Sequence, residues 1–343
     1  MASAVGGAVT LEAESASGGG RPVDSGGPDR RHTIETVDYH TAGEPFRIVL
    51  SGVPEPPGST VRTRRTAVPE EVDAVRRLLC HEPRGHADMY GCFLVPPDDD
   101  GADLGVLFWH KDGYSTACGH GTIALGAWAV ESGRVTAVQD GDTDVVIDVP
   151  SGRVTARVRR AKGRIVSVSF RNVPSYVLLR DVPYRSARVD VSYGGAVYVS
   201  VRAANLGLSV TPDALPDLIR AGREVKRALT PVVDHPDGIY GTILYDELPD
   251  TPDGPHQRNV TVFADGEVDR SPCGSGTSAR LALLDPAGVL THDSIVGTRF
   301  LGRIVDRTEA GVVTEVEGTA HLTGEHRFTL DPRDALGTGF VLR

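Results

Sequence analysis

Cys118-Gly-His-Gly-Thr-Ile-Ala124 returns later in the chain as Cys273-Gly-Ser-Gly-Thr-Ser-Ala279, so both stretches share the pattern Cys-Gly-x-Gly-Thr-x-Ala. One copy stands in each half of the 343-residue sequence. A repeat at this separation predicts two domains of similar build. A single cysteine before a glycine is usually a small buried residue, because free cysteine packs readily in cores. Two matched copies favour a shared function for Cys118 and Cys273 instead.

The pattern places each cysteine at the start of a predicted helix. Backbone N–H groups at a helix start have no partner within the helix, and together with the positive end of the helix dipole they stabilise a thiolate. The sequence therefore predicts a lowered pKa for both thiols. The glycines let a ligand approach the backbone, where the same N–H groups can hold a carboxylate. If both helices point at one cleft, one thiolate can remove the α-proton of a bound amino acid while the other thiol protonates the opposite face.

The sequence predicts that this chemistry needs neither a cofactor nor a metal. Pyridoxal phosphate would ordinarily stabilise the carbanion, but no strong lysine or phosphate-loop signature accompanies the motif. The four cysteines have no Cys-x-x-Cys spacing, which indicates reduced thiols rather than disulfides or a zinc site. Cys80 and Cys92 lack glycine-rich surroundings, so we assign them to packing.

Composition restricts the location and the partners. The formal net charge is −10 without a basic stripe, which argues against nucleic acid and anionic membranes and leaves a small molecule as the expected partner. No apolar run of about 18 residues and no basic segment followed by an apolar one occurs, so we expect a cytoplasmic protein. Residues 1–31 are rich in Gly, Ser, Ala and Asp and are predicted to form a disordered tail.

Strands dominate the predicted secondary structure. Helices are predicted over residues 69–79, 122–130 and 274–284, the first at the surface and the second buried within a shell of strands. Short β-branched runs between Gly and Pro turns are typical of strands. The predicted strands cover residues 47–50, 104–109, 145–149, 154–158, 165–170, 196–201, 259–263 and 312–316.

Two polar residues beside the motifs are further candidates. Asp269 precedes the second motif and could bind a cationic substrate nitrogen, with a turn or helix cap as the alternative role. His120 lies two residues after Cys118, where it could contact the carboxylate, tune the thiol or serve only the structure.

The motifs and several other stretches resemble the proline racemase family, which includes 4-hydroxyproline 2-epimerases and trans-3-hydroxy-L-proline dehydratases. The resemblance covers nearly the whole chain after the predicted tail. It rests on Asp38-Tyr-His-Thr-Ala-Gly-Glu-Pro45, Glu82-Pro-Arg-Gly-His-Ala-Asp-Met-Tyr-Gly91, Gly113-Tyr-Ser-Thr-Ala-Cys-Gly-His120, Val189-Asp-Val-Ser-Tyr-Gly-Gly195, Asp269-Arg-Ser-Pro-Cys-Gly-Ser-Gly-Thr277 and Gly339-Phe340.

The resemblance implies an α+β fold of the diaminopimelate-epimerase-like type, with two pseudo-symmetric β-barrel-like domains. Each domain surrounds a central helix, and the active site lies between the domains. The first half would cover residues 32–180 together with a C-terminal strand in 328–343, and the second half residues 181–327. A homodimer is one open possibility for the assembly.

Carried over residue by residue, the resemblance also implies roles for the site. Cys118 and Cys273 would be the acid and the base, and Asp269 would meet the ring nitrogen of an imino acid. The residues implied to hold the carboxylate are Gly119, His120, Gly274, Ser275 and Gly276, and those implied to wall the pocket are Tyr90 and Phe263.

Different stretches of the sequence favour different reactions. Cysteine at both motif positions favours racemisation or 2-epimerisation of proline or hydroxyproline, since family dehydratases typically carry Thr in place of Cys273. Residues 105–110, 113–115 and 240–244 instead resemble the dehydratase branch. Dehydration of trans-3-hydroxy-L-proline, alone or beside epimerisation, is therefore the alternative. A third hypothesis is a redox-regulated imino-acid-binding protein, in which Cys118 and Cys273 form a reversible disulfide.

Overall fold

The computed structural model describes residues 33–342, in which strands outnumber helices, as predicted. The predicted tail lies outside the described residues. The strands are β1 (Thr33–Thr41), β2 (Glu44–Ser51), β3 (Gly91–Val95), β4 (Leu104–His110), β5 (Gly113–Tyr114), β6 (Gly141–Val149), β7 (Gly152–Ala161), β8 (Arg164–Arg171), β9 (Tyr176–Tyr184), β10 (Ala187–Tyr193), β11 (Val197–Arg202), β12 (Ile239–Thr251), β13 (Gly254–Phe263), β14 (Glu267–Asp269), β15 (Leu290–Ser294), β16 (Arg299–Thr308), β17 (Gly311–Gly318) and β18 (Ala320–Thr329). The helices are α1 (Val61–Thr66), α2 (Glu70–Cys80), α3 (Gly119–Glu131), α4 (Leu215–Leu229) and α5 (Gly274–Leu284).

The strands pair in two runs of matching order. One run is β18-β1-β2-β3-β4-β6-β7-β8, and the other is β9-β10-β11-β12-β13-β15-β16-β17. In both runs the third strand is parallel to the fourth and the fifth to the sixth, while the remaining neighbours are antiparallel. The short strands β5 and β14 pair with the equivalent strands β4 and β13. This correspondence is the pseudo-symmetry that the repeated motif predicts.

The two runs are joined where β8 pairs antiparallel with β17. Phe170 of β8 lies opposite Val316 of β17, and both side chains are buried. This junction therefore belongs to the hydrophobic core and makes one continuous sheet network of the two halves.

A helix lies inside each run of strands. α3 contacts β1, β2, β6, β7, β8 and β18, and α5 contacts β9, β10, β11, β16 and β17. Both helices consist mainly of apolar and small residues, with His120 and Glu131 in α3 and Arg280 in α5 as exceptions, and nearly every residue of each is buried. A helix that is apolar all round is stable only when strands cover it from all directions, which is why these two occupy the centres of the halves.

Most predicted elements agree with the structure. Seven of the eight predicted strands lie wholly within observed strands, and the eighth, residues 196–201, overlaps β11. The helix predicted over 122–130 begins three residues earlier, at Gly119, because the glycines of the motif belong to the first helical turn. α4 was not predicted, since Pro216 and Gly222 interrupt its pattern. Pro216 lies in the first turn, where its missing N–H leaves no hydrogen bond unmade.

The proposed limits of the two halves stay a prediction. β9 spans Tyr176–Tyr184 and so crosses the limit at residue 180, while β18 begins at Ala320 and pairs with β1. Among the helices of residues 33–342, none is both long and apolar enough to cross a membrane.

Candidate active site

The two repeated cysteines start the two central helices. Cys118 is the N-cap residue of α3, and Cys273 is the N-cap residue of α5. Each cysteine is only about 5 % exposed, Cys118 at 4 % and Cys273 at 5 %. The motif therefore puts one buried thiol at the end of a helix in each half.

The starts of α3 and α5 touch backbone against backbone. A Cβ atom on Gly119 would lie 2.6 Å from the Cα atom of Gly274, and a Cβ atom on Gly274 would lie 2.8 Å from the Cα atom of Gly119. Only glycine fits at these two positions, because the obstructing atoms are backbone and cannot move aside by rotation. The contact points the positive ends of two helix dipoles, and their unpaired N–H groups, at one place.

The second glycine of each motif makes room for the thiol. A Cβ atom on Gly121 would lie 2.7 Å from the sulfur of Cys118, and one on Gly276 would lie 2.9 Å from the sulfur of Cys273. The N–H group of Gly121 also donates to the Cys118 sulfur at 3.2 Å. Gly121 was not among the predicted site residues, although the pattern Cys-Gly-x-Gly contained the signal.

His120 borders the thiol of Cys118. Its Nδ1 atom lies 3.5 Å from the Cys118 sulfur and 3.8 Å from Oδ2 of Asp269. Burial lowers the pKa of His120, which therefore stays neutral at pH 7. A neutral imidazole can donate from only one nitrogen, so it can hydrogen-bond either to the sulfur or to a bound anion without carrying charge.

Cys273 has different surroundings. Its backbone has φ 64° and ψ 101°, a conformation that a residue with a side chain rarely adopts, and its N–H donates to the Ser271 hydroxyl at 3.0 Å. Its thiol donates to the hydroxyl of Tyr198 at 3.8 Å, and that hydroxyl lies 2.7 Å from the hydroxyl of Ser275. Strained backbone of this kind concentrates at functional sites.

The pKa of both thiols is raised, which corrects the prediction from sequence. Burial raises the pKa of Cys118 well above its ordinary value, against the smaller effect of the Gly121 N–H. Burial, and then the charge of Asp269, raise the pKa of Cys273. The N–H groups at the helix starts lower the thiol pKa, as predicted. The free energy lost when a thiolate is removed from water is larger than the free energy that these N–H groups contribute.

Asp269 ends β14 beside both motifs. Its Oδ1 atom accepts hydrogen bonds from the backbone N–H and the hydroxyl of Ser271, at 2.8 and 2.7 Å. Those bonds direct its other oxygen toward His120. A carboxylate so placed can bind a cationic nitrogen, and this role stays a prediction.

A second buried carboxyl, Glu44, was not among the predicted site residues. It is fully buried on β2, and its Oε2 atom accepts the backbone N–H of Arg270 at 2.7 Å. Its Oε1 atom has no hydrogen-bond partner among the described residues. Burial, and then the charge of Asp269, raise the pKa of Glu44 well above its ordinary value.

Aromatic rings form one wall of the site. The ring of Tyr90 lies 5.0 Å from that of His120 and 5.8 Å from that of Phe263. Tyr240, a residue of β12, stacks on Phe263 at 5.4 Å, and its ring lies 5.7 Å from that of Tyr198. The structure thus brings the two predicted wall residues together and adds two tyrosines. From the sequence alone, a single tyrosine of the site in a strand cannot be told apart from a tyrosine of the hydrophobic core.

One group of potential metal ligands lies behind this wall. Single atoms of His110, Asp112 and Glu267 lie within 4.8 Å of one another. The ammonium group of Lys111 lies 2.7 Å from Asp112 and 3.9 Å from Glu267. A cation of the protein's own therefore already lies between these carboxylates, and we assign no metal to them.

The family model for proline racemase matches residues 36–341 of the chain. The chain belongs to the proline racemase family. The match covers both motifs and nearly all of the described residues, so the resemblance seen in the sequence is confirmed.

The curated relatives of this proline racemase family member include a dehydratase and an epimerase. A trans-3-hydroxy-L-proline dehydratase of Azospirillum brasilense is 45 % identical over 334 residues, covering 91 % of this chain and 98 % of the relative. A 3-hydroxyproline 2-epimerase of Burkholderia multivorans is 44 % identical over 335 residues, with the same coverage of 91 % and 98 %. One name is that of a dehydratase and the other that of an epimerase, in agreement with the predicted enzyme of the isomerase or lyase kind.

Solved structures confirm the diaminopimelate-epimerase-like fold. A hydroxyproline epimerase from Agrobacterium vitis, with bound trans-4-OH-L-proline, superposes with a TM-score of 0.82 at 30 % identity and covers 91 % of this chain and 96 % of its own. A phenazine biosynthesis protein from Bacillus anthracis has a TM-score of 0.54 at 11 % identity, covers 86 % of this chain and 99 % of its own, and shares the fold alone.

Proposed function

We propose that the protein inverts carbon 2 of 3-hydroxyproline by moving the α-proton between the thiols of Cys118 and Cys273, without a cofactor. The observation that carries the proposal is the backbone contact between Gly119 and Gly274, which brings one helix-start thiol from each half to one place. A base on one face of a carbon and an acid on the other are what inversion requires.

The names of the relatives support the choice of substrate class. The Burkholderia multivorans relative is named a 3-hydroxyproline 2-epimerase, and several relatives that are 42 to 46 % identical are named trans-3-hydroxy-L-proline dehydratases. Both names place a hydroxyl on carbon 3 of the ring. Proline, which lacks that hydroxyl, is kept as the second substrate to test.

The helix starts would stabilise the intermediate. When the α-proton leaves, negative charge builds on the substrate carboxylate, and hydrogen bonds to that group strengthen. The N–H groups of the first helical turns, which begin at Gly119 and Gly274, are the donors for this charge. His120 would add a neutral donor, and Asp269 would bind the ring nitrogen in its cationic form.

Dehydration of trans-3-hydroxy-L-proline is the second candidate, and the names of the relatives favour it. It begins with the same proton removal and then loses the 3-hydroxyl instead of receiving a proton on the opposite face. Only one thiol is needed for that reaction. The second thiol, Cys273, therefore favours inversion as the main activity.

The test is proton exchange in D₂O. The reduced protein is incubated with trans-3-hydroxy-L-proline, trans-4-hydroxy-L-proline and L-proline, and α-deuterium uptake, inversion and pyrroline formation are followed by NMR and chiral chromatography. We expect uptake with inversion, fastest for the 3-hydroxylated substrate. Absence of uptake from all three would reject the enzyme and leave the redox-regulated binding protein.

The expected setting of this reaction is the cytoplasm. Two thiols that face each other stay available as acid and base only where they are kept reduced, and the cytoplasm provides that condition. The exclusion of nucleic acid and membrane partners, and the homodimer, stay predictions from the sequence.

A further inference from the structure

Three buried or partly buried hydroxyl groups lie beside the first thiol. We call Tyr90, Ser115 and Tyr240 the hydroxyl cluster. The Tyr90 hydroxyl is hydrogen-bonded to that of Ser115 and lies 3.2 Å from that of Tyr240. Tyr90 and Ser115 are 1 % and 3 % exposed, so water does not reach them freely.

The hydroxyl cluster belongs to the Cys118 side of the site. Ser115 lies three residues before Cys118, and the Tyr90 ring is 5.0 Å from that of His120, whose Nδ1 atom is 3.5 Å from the Cys118 sulfur. The other thiol has its own hydroxyl partner, since Cys273 donates to Tyr198. The hydroxyl that the Cys273 thiol contacts is thus not a member of the hydroxyl cluster, although the Tyr240 ring lies 5.7 Å from that of Tyr198.

The hydroxyl cluster has hydrogen-bonding capacity to spare. Its three hydroxyl groups carry three hydrogens, and two hydrogen bonds between them use two. Among the described residues, no further acceptor is bonded to these hydroxyls, so one hydrogen can be donated to a bound molecule. Burial raises the pKa of Tyr90 well above its ordinary value, which keeps this donor protonated.

Stereochemistry relates this donor to the ring hydroxyl. In trans-3-hydroxy-L-proline the 3-hydroxyl and the carboxylate are on opposite faces of the ring, so the 3-hydroxyl and the α-hydrogen share one face. The thiol that removes the α-hydrogen must lie on that face. A donor for the 3-hydroxyl is therefore needed next to the same thiol, and the hydroxyl cluster lies next to Cys118.

We propose that the hydroxyl cluster binds the 3-hydroxyl of the substrate and selects 3-hydroxylated imino acids, with Cys118 removing the α-proton of trans-3-hydroxy-L-proline. This inference rests on the proposed function and adds the residues that determine its specificity. In inversion, the hydroxyl cluster holds the ring in place while Cys273 protonates the other face.

In dehydration, the hydroxyl cluster also supplies a proton. The α C–H bond breaks as an S–H bond forms on Cys118, the electron pair becomes the second bond between carbons 2 and 3, and the C3–O bond breaks with its own pair. The departing oxygen takes a proton from the hydroxyl cluster and leaves as water. The α-proton held by Cys118 then passes to the oxygen of the hydroxyl cluster. This transfer restores the thiolate and the hydroxyl group, and the product is a cyclic enamine.

The test compares Tyr240→Phe and Ser115→Ala with Tyr198→Phe, which removes a tyrosine hydroxyl beside the other thiol. For each variant, kcat/KM for α-deuterium uptake is measured with trans-3-hydroxy-L-proline and with L-proline, and binding of pyrrole-2-carboxylate, a planar imino acid without a 3-hydroxyl, is measured by calorimetry. Tyr240→Phe and Ser115→Ala are expected to lower the ratio of the two kcat/KM values about tenfold, the size of one lost hydrogen bond. Tyr198→Phe should change the ratio less than about twofold, and Tyr240→Phe should bind pyrrole-2-carboxylate within about twofold of the wild type.

Equal losses with both substrates in Tyr240→Phe and Ser115→Ala would overturn the inference, and so would an equal change of ratio in Tyr198→Phe. Those results would leave the proposed function standing, because the wild type would still exchange the α-proton. Absence of exchange in the wild type would instead remove the proposed function. If the wild type accepts only the 3-hydroxylated substrate, loss of its uptake in Tyr240→Phe with intact pyrrole-2-carboxylate binding supports the inference, and unchanged uptake overturns it.

Discussion

Gly119 and Gly274 hold the two central helices in direct contact, with room for a hydrogen but not for a methyl group between their backbones. The added Cβ atom of an alanine at position 119 would come within 2.6 Å of Gly274 and of the backbone nitrogen of Ser275. The position of each thiol relative to the other therefore depends on the absence of a side chain at these two residues.

Gly119→Ala is expected to separate the starts of α3 and α5. A shift of about 1 Å in a reacting group lowers a rate roughly 100-fold, so we expect at least that loss in α-deuterium uptake. The matched control is Gly133→Ala, just past the other end of α3, where φ is 72° and the space around the new Cβ is open. It should lose about 1 kcal/mol of stability through backbone strain and keep its uptake. Full uptake in Gly119→Ala would contradict the tight contact.

Cys273→Ser should stop inversion but leave the exchange of the α-proton at Cys118. A serine hydroxyl is too weak an acid to take over from the thiol, so inversion should fall at least about 1000-fold. Cys118 can still exchange the α-proton of the isomer whose hydrogen faces it, and that isomer should gain deuterium with retention. Cys80→Ser is the control, because the buried Cys80 thiol only donates to the carbonyl of Met89, a bond that serine can make. Inversion that survives in Cys273→Ser would rule out the two-thiol assignment.

The rate of exchange should rise with pH. Because burial raises the pKa of Cys118 above the ordinary thiol value of about 8.5, the thiolate is the minor form throughout the neutral range. The fraction of thiolate then grows about tenfold for each pH unit, and kcat/KM for deuterium uptake should follow it between about pH 6 and 8.5. A profile that is already flat at pH 7 would mean that the helix start, not burial, controls the thiol.

Glu44→Gln should stabilise the protein at high pH. The pKa of Glu44 is raised in the folded state, chiefly by burial and also by Asp269, so the folded state holds this proton more tightly than the unfolded chain does. The resulting stabilisation is complete below the unfolded pKa of about 4.3 and is lost as the pH rises toward the folded pKa. Glutamine cannot ionise, so Glu44→Gln should raise Tm at pH 8 by at least about 2 °C and by much less at pH 4.

Arg270, Asp88 and Asp269 are the charged groups that act on Glu44, and none of them is changed by this variant. Glu71→Gln, at an exposed position of α2, controls for the loss of one negative charge. The two variants should differ at pH 8. Equal Tm values for both would show that the pKa of Glu44 is not raised in the folded state.

The central pair of helices could be predicted from sequence because the information is local. A cysteine, three small residues and an apolar stretch within a dozen positions define both the start of α3 and its buried character, and the same holds for α5. The repeated motif then predicted that the two halves have a similar build, although the order of their strands was not known.

Other features depend on contacts that no short stretch contains. Tyr198 reaches Cys273 only because β11 lies beside α5, and Tyr240 reaches Tyr90 across 150 positions of sequence. The pKa of the thiols could not be predicted either, since it depends on how completely the opposite half covers them. The position of α4, in contrast, could have been predicted from the internal symmetry. α2 lies between β2 and β3, and α4 lies between the equivalent strands β11 and β12.

The matched strand order has a consequence for the orientation of the substrate. If the two halves were identical, a half-turn that exchanges them would swap Cys118 with Cys273, and one substrate molecule would have two equivalent ways to bind, with its α-hydrogen toward either thiol. The halves differ next to the thiols, where His120 occupies the motif position that Ser275 occupies in the second copy. The few side chains that break the internal symmetry therefore decide which thiol meets the α-hydrogen of a given enantiomer.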